Sequence, residues 1–447
     1  MKKDSKTQPS LAARAAKLNR QRFRKAFPKT LLILEGRSET LRNGDVDYYF
    51  RQHSDFLHLS SCDLPDSFVL VGPGMDILCI PRVDDHHRVW LGETETKTSA
   101  KTNFHFSRCI YCDEIPEVLP TLLSKVDKVI CPPKSKKELK EAAPKLTIES
   151  WKANEHLKEL RVIKTPLEIE LMQKAATASS KAHSLVMEKV KPGMFEWEAK
   201  DLFDTGLKQN GVRRNAFPTI AGGGTNGSVL HYTKEDTKFK KGDLLLLDAG
   251  GEYHGYAADI TRTYPVSGKF SKRQKDLYEL VLKSQLDTIE MIQPKVWMSD
   301  LQENVYKVLT EGLLKLGFFK GDLETLIDQK CLSLFYPHGC SHQLGLDVHD
   351  IGPTQKNPKA KFKLRSNQIL EEGMVITMEP GLYFIEALIH NKEHRKNFKK
   401  LVDFKLAESY LNFGGIRIED DVLVTKDGFQ VLSHVPKTVA EIEALKK

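Results

Sequence analysis

The sequence predicts a mixed α/β (α+β) protein of two domains, and three observations lead to this expectation. The chain has 447 residues, which is more than one hydrophobic core usually accommodates. Between residues 31 and 131, short apolar runs such as LLILEG and SFVLVGPG alternate with turns, as in a small α/β domain. Beyond residue 160, helical patterns surround a glycine-rich hairpin. We therefore expect one domain at residues 1–160 and a second at 161–447.

The composition argues against several classes of protein. Hydrophobic residues make up 40% of the chain and charged residues 29%, and the mean hydropathy is −0.40. The net charge of +8 comes from basic residues interleaved with 60 acidic ones, which does not favour a nucleic-acid-binding surface. No apolar run has the length of a membrane span, and the N-terminus lacks the pattern of a secretory signal. We expect neither nucleic acid nor a membrane as a partner.

The seven cysteines indicate a reducing compartment. Only Cys109 and Cys112 form a CxxC pair, and no second pair follows at the spacing of a zinc site. On a predicted strand, a separation of three residues places the two thiols on opposite faces. We interpret them as reduced cysteines and expect the protein to be cytoplasmic.

The predicted first domain carries no recognisable catalytic cluster. Its basic N-terminal segment has apolar residues at helical spacing, which predicts a surface helix over Leu11, Ala15, Leu18 and Phe23. The sequence DDHH at residues 84–87 has metal-ligating side chains, but consecutive strand residues point in opposite directions, so we interpret it as a solvated loop. Residues 134–159 are rich in Lys and Glu and predict a helical linker.

The second domain is predicted to begin with helices. Thr165 as N-cap, Pro166 at the first helical position and Glu168 at the third form a capping box, and this helix should run towards the stop at Pro192. Another helix is predicted at residues 196–209.

Further elements follow along the chain. The glycine run at residues 222–224 lacks the other residues of a phosphate-binding loop, so we interpret it as a turn before a strand that carries His231. Two amphipathic helices are predicted at residues 272–292 and 299–316, the second with Ser299 as N-cap and Gln302 three residues later.

The segment 242–268, GDLLLLDAGGEYHGYAADITRTYPVSG, predicts a β-hairpin with one carboxylate on each arm. If the strands pair about a midpoint between Tyr253 and His254, Asp248 lies opposite Asp259 on the same face. Like charges directly opposite each other repel, so one Asp is protonated or a cation lies between them. The alternative is a solvated turn with two unrelated surface aspartates.

Three more segments supply side chains that suit this aspartate pair. The segment 337–350 carries His338, His342 and His349, and such clustering favours metal binding or acid–base chemistry over a core role. In GMVITMEPG, residues 375–378 predict a strand, and Glu379 follows this apolar run, which a core should bury. In GGIRIEDD, alternation places Arg417 and Glu419 on one face of a strand. The alternatives are a surface acid at a strand end and an exposed Arg–Glu pair on an edge strand.

Counting charges favours a metal site. Four apposed carboxylates would repel each other strongly, whereas two divalent cations would neutralise them. Oxygen-rich ligands with one imidazole suit Mn²⁺ first, with Co²⁺ or Zn²⁺ as substitutes in vitro. The predicted ligands are Asp248, Asp259, His342, Glu379 and Glu419.

These five residues, within DAGGEYHGYAADITRTYPVSG, HGCSHQLGLDVHD, MEPGLYF and GGIRIEDDVLV, closely resemble the ligands of the pita-bread metallopeptidases that cleave next to proline. The N-terminal half is similar to the creatinase or aminopeptidase-P-type N-terminal domain. The resemblance covers nearly the whole chain. It implies a small creatinase-like domain followed by a pita-bread catalytic domain, a homodimer, and a small peptide substrate that ends in proline.

The resemblance also implies roles for individual residues. Asp259 and Glu419 would bridge two metal ions. Asp248 would complete the coordination of one ion, and His342 and Glu379 would complete that of the other. A hydroxide that bridges the ions would attack the scissile carbonyl, and Glu379 would shuttle the proton to the proline nitrogen. The groups implied to steady the oxyanion or the substrate are His349 and His231. The candidates for contacting the substrate or for supporting the metal ligands are His338, Arg365 and Arg417.

Two activities within the family differ in substrate length. Xaa-Pro dipeptidase (prolidase) accepts dipeptides, whereas Xaa-Pro aminopeptidase (aminopeptidase P) also takes longer peptides. The segment 383–414 and Arg365, which would grip a dipeptide carboxylate, are similar to prolidases. Ser341 is closer to aminopeptidase P. We expect prolidase activity, with aminopeptidase P and a catalytically silent binding protein as the alternatives.

Overall fold

The computed structural model describes residues 9–92, 95–152, 156–362, 364 and 366–446. The chain divides into two compact units. The first comprises residues up to 161 together with 165–171, and the second comprises residues 162–164 and those from 172 onward. Both units combine helices with sheets, which confirms the predicted α/β class.

The first unit is built on a six-stranded mixed sheet. Its strands are β1 (Thr30–Glu35), β4 (Phe68–Gly72), β5 (Met75–Ile80), β6 (Arg108–Tyr111), β7 (Lys128–Cys131) and β8 (Thr147–Ser150), in the order β6-β5-β4-β1-β7-β8. A separate hairpin is formed by β2 (Leu41–Asn43) and β3 (Val46–Asp47). The predicted helical linker at 134–159 is wrong over β8, because Ile148 is buried there and pairs with Val129 of β7.

The helices of the first unit are α1 (Leu11–Ala26), α2 (Ser54–Ser60), α3 (Asp85–Leu91), α4 (Lys97–Asn103), α5 (Ile115–Leu123) and α6 (Lys136–Ala142). The predicted N-terminal helix is confirmed as α1, which Ser10 caps by accepting the Ala13 N–H at 3.1 Å. In the DDHH segment Asp84, Asp85 and His86 are exposed and His87 is half-buried, but the segment begins α3 instead of forming a loop. Asp84 is the N-cap of this helix and accepts the His87 N–H at 2.8 Å.

After α7 (Lys158–Val162), two helices form as the sequence predicts: α8 (Pro166–Lys189) and α9 (Glu196–Gln209). The capping box is confirmed. Thr165 N–H donates to Glu168 Oε2 at 2.8 Å, and Glu168 N–H donates to Thr165 Oγ1 at 3.3 Å.

The strands of the second unit form four small sheets. One contains β10 (Ile220–Gly223), β11 (Leu244–Asp248) and β14 (Thr261–Pro265), and the next contains β9 (Arg214–Asn215), β12 (Gly251–Tyr253) and β13 (Tyr256–Ala257). The others contain β15 (Val375–Met378), β18 (Asp420–Thr425) and β19 (Gly428–Val431), and the pair β16 (Gly381–Tyr383) and β17 (Gly415–Arg417). The bridge Thr261↔Glu419 links β14 to the residue directly before β18.

The predicted hairpin forms, but its register is shifted. Asp248 lies opposite Thr261, not opposite Asp259, and Tyr253 pairs with Tyr256. The two residues of the turn, His254 and Gly255, have φ of 50° and 88°. These left-handed values are those of a two-residue type I′ turn, which glycine favours at its second position. The turn chemistry therefore moves the midpoint by one residue.

The later helices are α10 (Lys272–Ile289), α11 (Met298–Lys315), α12 (Leu323–Asp328), α13 (Glu386–Ile389), α14 (Lys392–Asn397), α15 (Phe404–Glu408) and α16 (Val439–Leu445). The prediction of Ser299 as an N-cap is wrong. Trp297 is the extended residue before α11, and its N–H donates to Asp300 Oδ2 at 3.4 Å.

The strand predicted to carry His231 is absent from the described structure. Residues Gly224–Ser228 form a 3₁₀ turn, and an irregular segment follows. Side chains hold this conformation, since Glu196 accepts hydrogen bonds from Asn226 at 2.9 Å and from Tyr232 at 2.8 Å. Such side-chain bonds compete with a strand ladder.

Among the described residues, no helix has the length and apolar character needed to cross a membrane. All seven cysteines are free thiols, and Cys109 is buried while Cys112 is partly exposed.

Candidate metal centre

The predicted ligands come from four parts of the chain, which backbone pairing brings together. Glu419 N–H donates to Thr261 O at 3.0 Å, which places Glu419 beside the hairpin that carries Asp248 and Asp259. The segment around His342 runs beside β15, where Thr377 N–H donates to His342 O at 3.0 Å.

The same pairing aligns Glu379 with the histidine segment, residues 337–350. Glu379 N–H donates to Cys340 O at 2.9 Å. Cys340, which lies beside Glu379, is two residues before His342. Because side chains two residues apart on an extended segment share a face, Glu379 and His342 point into the same space.

Three of the five predicted ligands form a compact donor set. One ligand atom from each of Asp259, His342 and Glu419 lies within 4.8 Å of the others, and all three residues are buried. His342 Nε2 is 3.5 Å from Asp259 Oδ2 and 3.6 Å from Glu379 Oε1.

The hydrogen bond at the other ring nitrogen of His342 decides its tautomer. His342 Nδ1 lies 3.0 Å from the carbonyl oxygen of Gln343. A carbonyl only accepts, so Nδ1 carries the proton and the lone pair of Nε2 faces the carboxylates. This is the arrangement that metal-binding histidines adopt.

Asp248 reaches the same cavity and is held by Arg417. Arg417 donates to Asp248 Oδ2 at 2.5 Å, to Tyr383 Oη at 2.8 Å and to Thr261 Oγ1 at 3.1 Å. Thr261 in turn donates to Glu419 Oε2 at 2.6 Å. All three nitrogens of the Arg417 guanidinium donate to protein acceptors. This supports the second of the two roles that the sequence left open for Arg417, that of a residue that positions the ligands.

All of the predicted site residues that the structure describes line one cavity of about 260 Å³. His349 lies with its ring centroid 4.3 Å from that of His342, and His231 and His349 are both exposed at this cavity. Arg365 lies outside the described residues. The described lining residues are Leu230, His231, Asp248, Asp259, His338, Gly339, Ser341, His342, His349, Leu364, Glu379, Arg417 and Glu419.

The carboxylates raise one another's pKa. Burial, together with the charges of Asp248, Asp421 and Glu379, raises the pKa of Asp259 well above its ordinary value. Burial and the charges of Asp259, Glu379 and Asp248 likewise raise the pKa of Glu419. Without a cation, this cavity therefore favours protonated acids at the two predicted bridging positions.

The residues present fit a pair of divalent cations. Asp248 Oδ1 is buried and has no hydrogen-bond partner among the described residues, so it is an orphaned acceptor. Arg417 compensates one of the four carboxylates and leaves three to be neutralised. Oxygen donors with a single imidazole match a hard or borderline ion.

His338 is held neutral at the cavity wall. Its Nε2 is 2.8 Å from Tyr383 Oη, and its Nδ1 is 2.8 Å from Gly339 O and 3.6 Å from Glu379 Oε2. Burial and the positive charge of Arg417 lower the pKa of His338 to about 3. At neutral pH this imidazole is therefore a hydrogen-bonding group instead of a cation.

Sequence reasoning missed several supporting residues. Tyr383 joins His338 to Arg417, and Gln302 Oε1 accepts the Cys340 N–H at 2.7 Å. Asp421 accepts the Asp259 N–H at 3.1 Å. Strand alternation could have found Thr261 and Asp421, because each lies two residues from a predicted ligand. Tyr383 lies four residues after Glu379, whereas Gln302 comes from an element distant in sequence.

Comparison with known proteins agrees with this geometry. Residues 170–426 match metallopeptidase family M24, and residues 16–131 match the aminopeptidase P N-terminal domain. Similar proteins include Xaa-Pro dipeptidase from Homo sapiens, 33% identical with 96% of this chain and 92% of that protein covered. Xaa-Pro aminopeptidase from Escherichia coli (strain K12) is 33% identical, with 94% of each chain covered.

A solved structure extends the match to three dimensions. Zn-substituted E. coli aminopeptidase P in complex with product superposes with a TM-score of 0.84 at 30% identity, over 98% of each chain. The predicted resemblance and the predicted pairing of domains are confirmed. The chain therefore belongs to metallopeptidase family M24 and joins its pita-bread catalytic domain to an aminopeptidase-P-type N-terminal domain.

Proposed function

We propose that this protein is a metal-dependent exopeptidase that hydrolyses Xaa-Pro bonds. The observation that carries the proposal is the convergence of Asp248, Asp259, His342, Glu379 and Glu419 on one cavity. Their types, their burial and their mutual charge repulsion suit two divalent cations, and we propose Mn²⁺ as the activating ion.

Different groups at this site would contribute different steps of the reaction. When bound, a divalent pair supplies Lewis acidity, which makes water nucleophilic at neutral pH and polarises a carbonyl. Glu379 stands at the cavity wall beside His342 and His338, where its carboxylate can accept a proton from water and deliver it to the leaving proline nitrogen. That nitrogen belongs to a tertiary amide and leaves as a secondary amine, so its protonation is essential.

The exposed histidines at the cavity would bind the substrate. The imidazoles of His231 and His349 can donate hydrogen bonds to a carbonyl oxygen as negative charge develops on it. Arg365 is proposed to grip the carboxylate of a dipeptide, since an arginine can bind a carboxylate through two parallel hydrogen bonds.

For substrate length, we propose dipeptides first, as in prolidases. The similarity of the segment 383–414 and of Arg365 to prolidases supports this choice. Aminopeptidase P activity on longer peptides is the second candidate, and Ser341 and the similarity to solved aminopeptidase P favour it. The human dipeptidase and the E. coli aminopeptidase have the same percentage of sequence identity to this chain.

Two assays test the proposal. The purified protein is depleted of metal with a chelator and assayed on Gly-Pro before and after addition of Mn²⁺. We expect activity to disappear and return, and full activity of the metal-free protein would refute the metal-dependent mechanism. Comparison of kcat/KM for Gly-Pro and for a tripeptide Xaa-Pro-Yaa then decides the length preference, since comparable values favour aminopeptidase P.

A further inference from the structure

A fully buried arginine lies behind the metal centre. Arg262 is on β14 between Thr261 and Thr263, and its side chain is 0% exposed. The hydroxyls of the two threonines bond Glu419 and the backbone of Arg417. Because side chains alternate along a strand, Arg262 points away from the cavity to the opposite face.

The guanidinium of Arg262 donates hydrogen bonds to the backbone of the two segments that carry the predicted bridging ligands Asp259 and Glu419. Its Nη1 donates to Thr261 O at 2.9 Å and to Glu419 O at 2.6 Å. Its Nη2 donates to Asp420 Oδ1 at 2.6 Å and to Val435 O at 3.1 Å. One planar group thus joins the hairpin that carries Asp259 to the segment that carries Glu419.

Asp420 holds this guanidinium in place. It also accepts hydrogen bonds from Ser433 at 2.7 Å, from Gln285 at 3.0 Å and from Lys437 at 2.6 Å. Its side chain is 0% exposed. A charge that is buried and saturated with donors gives a rigid anchor, because every alternative arrangement leaves polar groups without partners.

We infer that Arg262 is a positioning residue for the metal centre. It sets the separation of the two predicted bridging carboxylates, Asp259 and Glu419, by fixing their backbones from the side opposite the metals. This inference rests on the proposed metal centre. Lysine cannot replace arginine here, since a single ammonium lacks the planar fork that spans Asp420 and three carbonyls.

The experiment measures Mn²⁺ binding to metal-free protein by titration calorimetry, independently of catalysis. We expect Arg262→Lys to remain folded and to bind Mn²⁺ about 10–100-fold more weakly, as is typical when support of a ligand is lost. Lys437→Met is the matched control. Lys437 donates to Gln285 and to the same buried Asp420, whereas Arg262 also donates to the carbonyls of Thr261 and Glu419. Loss of Lys437 should therefore leave Mn²⁺ affinity within threefold of the parent.

A second pair of variants covers the case in which Arg262→Lys does not fold. Arg262→Gln with Asp420→Asn removes both buried charges, and Asp420→Asn alone keeps the bonds of Arg262 to the carbonyls. We expect only the double variant to lose Mn²⁺ affinity. Equal affinity in all folded variants, or an equal loss in Lys437→Met, would overturn the inference. Failure of the parent protein to bind Mn²⁺ would instead refute the proposed metal centre.

Discussion

Glu379 shows how a single side chain can combine two tasks at this site. Its carboxylate is 3.6 Å from the metal-facing nitrogen of His342 and 3.6 Å from His338. It therefore lies between His342 and His338 at the cavity. A carboxylate there can both bind a cation and transfer a proton.

Replacing Glu379 with Gln tests its role in proton transfer. The amide keeps the shape but cannot carry a proton, so we expect kcat/KM on Gly-Pro to fall by about 10²-fold or more. Metal content is measured on the same sample, because lost metal would also lower the rate. Glu386→Gln, which changes an exposed acid, should leave activity unchanged. Activity within threefold of the parent in Glu379→Gln would remove Glu379 from proton transfer.

At the scale of elements, helix α11 supports the histidine segment. The side chain of Gln302 is buried and accepts the N–H of Cys340, two residues before His342. Gln302→Leu removes this acceptor and leaves a buried N–H without a partner. We expect a loss of about 1–3 kcal/mol in the free energy of unfolding, measured with urea. Gln209→Leu, at an exposed position, should change it by less than about 0.5 kcal/mol.

The cap of helix α8 gives a pH-dependent contribution. Burial alone would raise the pKa of Glu168, but hydrogen bonds from His58 and Thr165 lower it from 4.5 to about 2. A lowered carboxyl pKa stabilises the fold fully above the unfolded value near 4.5, and this contribution is lost as the pH falls from there through 2.

Glu168→Gln tests this contribution through urea unfolding at several pH values. The variant should be less stable than the parent at pH 7 by about 3 kcal/mol. The difference should shrink as the pH is lowered below about 4.5. A difference that stays constant down to pH 3 would contradict the proposed linkage.

At the scale of the whole molecule, metal binding should contribute to stability. The acids of the cavity repel one another without a cation, and an ion that binds only the folded state stabilises it. Mn²⁺ at 100 times its dissociation constant should add about 2.7 kcal/mol for one site and raise Tm by several degrees. Calorimetry on metal-free protein measures this change. Asp259→Asn should show a smaller rise, and equal shifts in both proteins would argue against this site.

Much of the architecture was predictable because the signals are local. The capping box at Thr165 and Glu168, the extent of α9 and the strand before Glu379 depend on neighbouring residues, and each formed as predicted. Strand β8 was missed because a Lys/Glu-rich segment has little strand propensity of its own. Pairing with β7 decided its conformation.

The sequence alone predicted which residues line the candidate site, because five side chains of matching chemistry stand in four distinctive segments. The tertiary structure decided how they meet. A type I′ turn at His254 and Gly255 placed Asp248 opposite Thr261, and Tyr383 and Arg262 joined the centre from other strands. The reason is physical: identities and caps act over a few residues, whereas register depends on how the two arms of the hairpin pair. The buried hydrogen bonds join residues still farther apart in sequence, 34 residues for Tyr383 and Arg417 and 157 for Arg262 and Glu419.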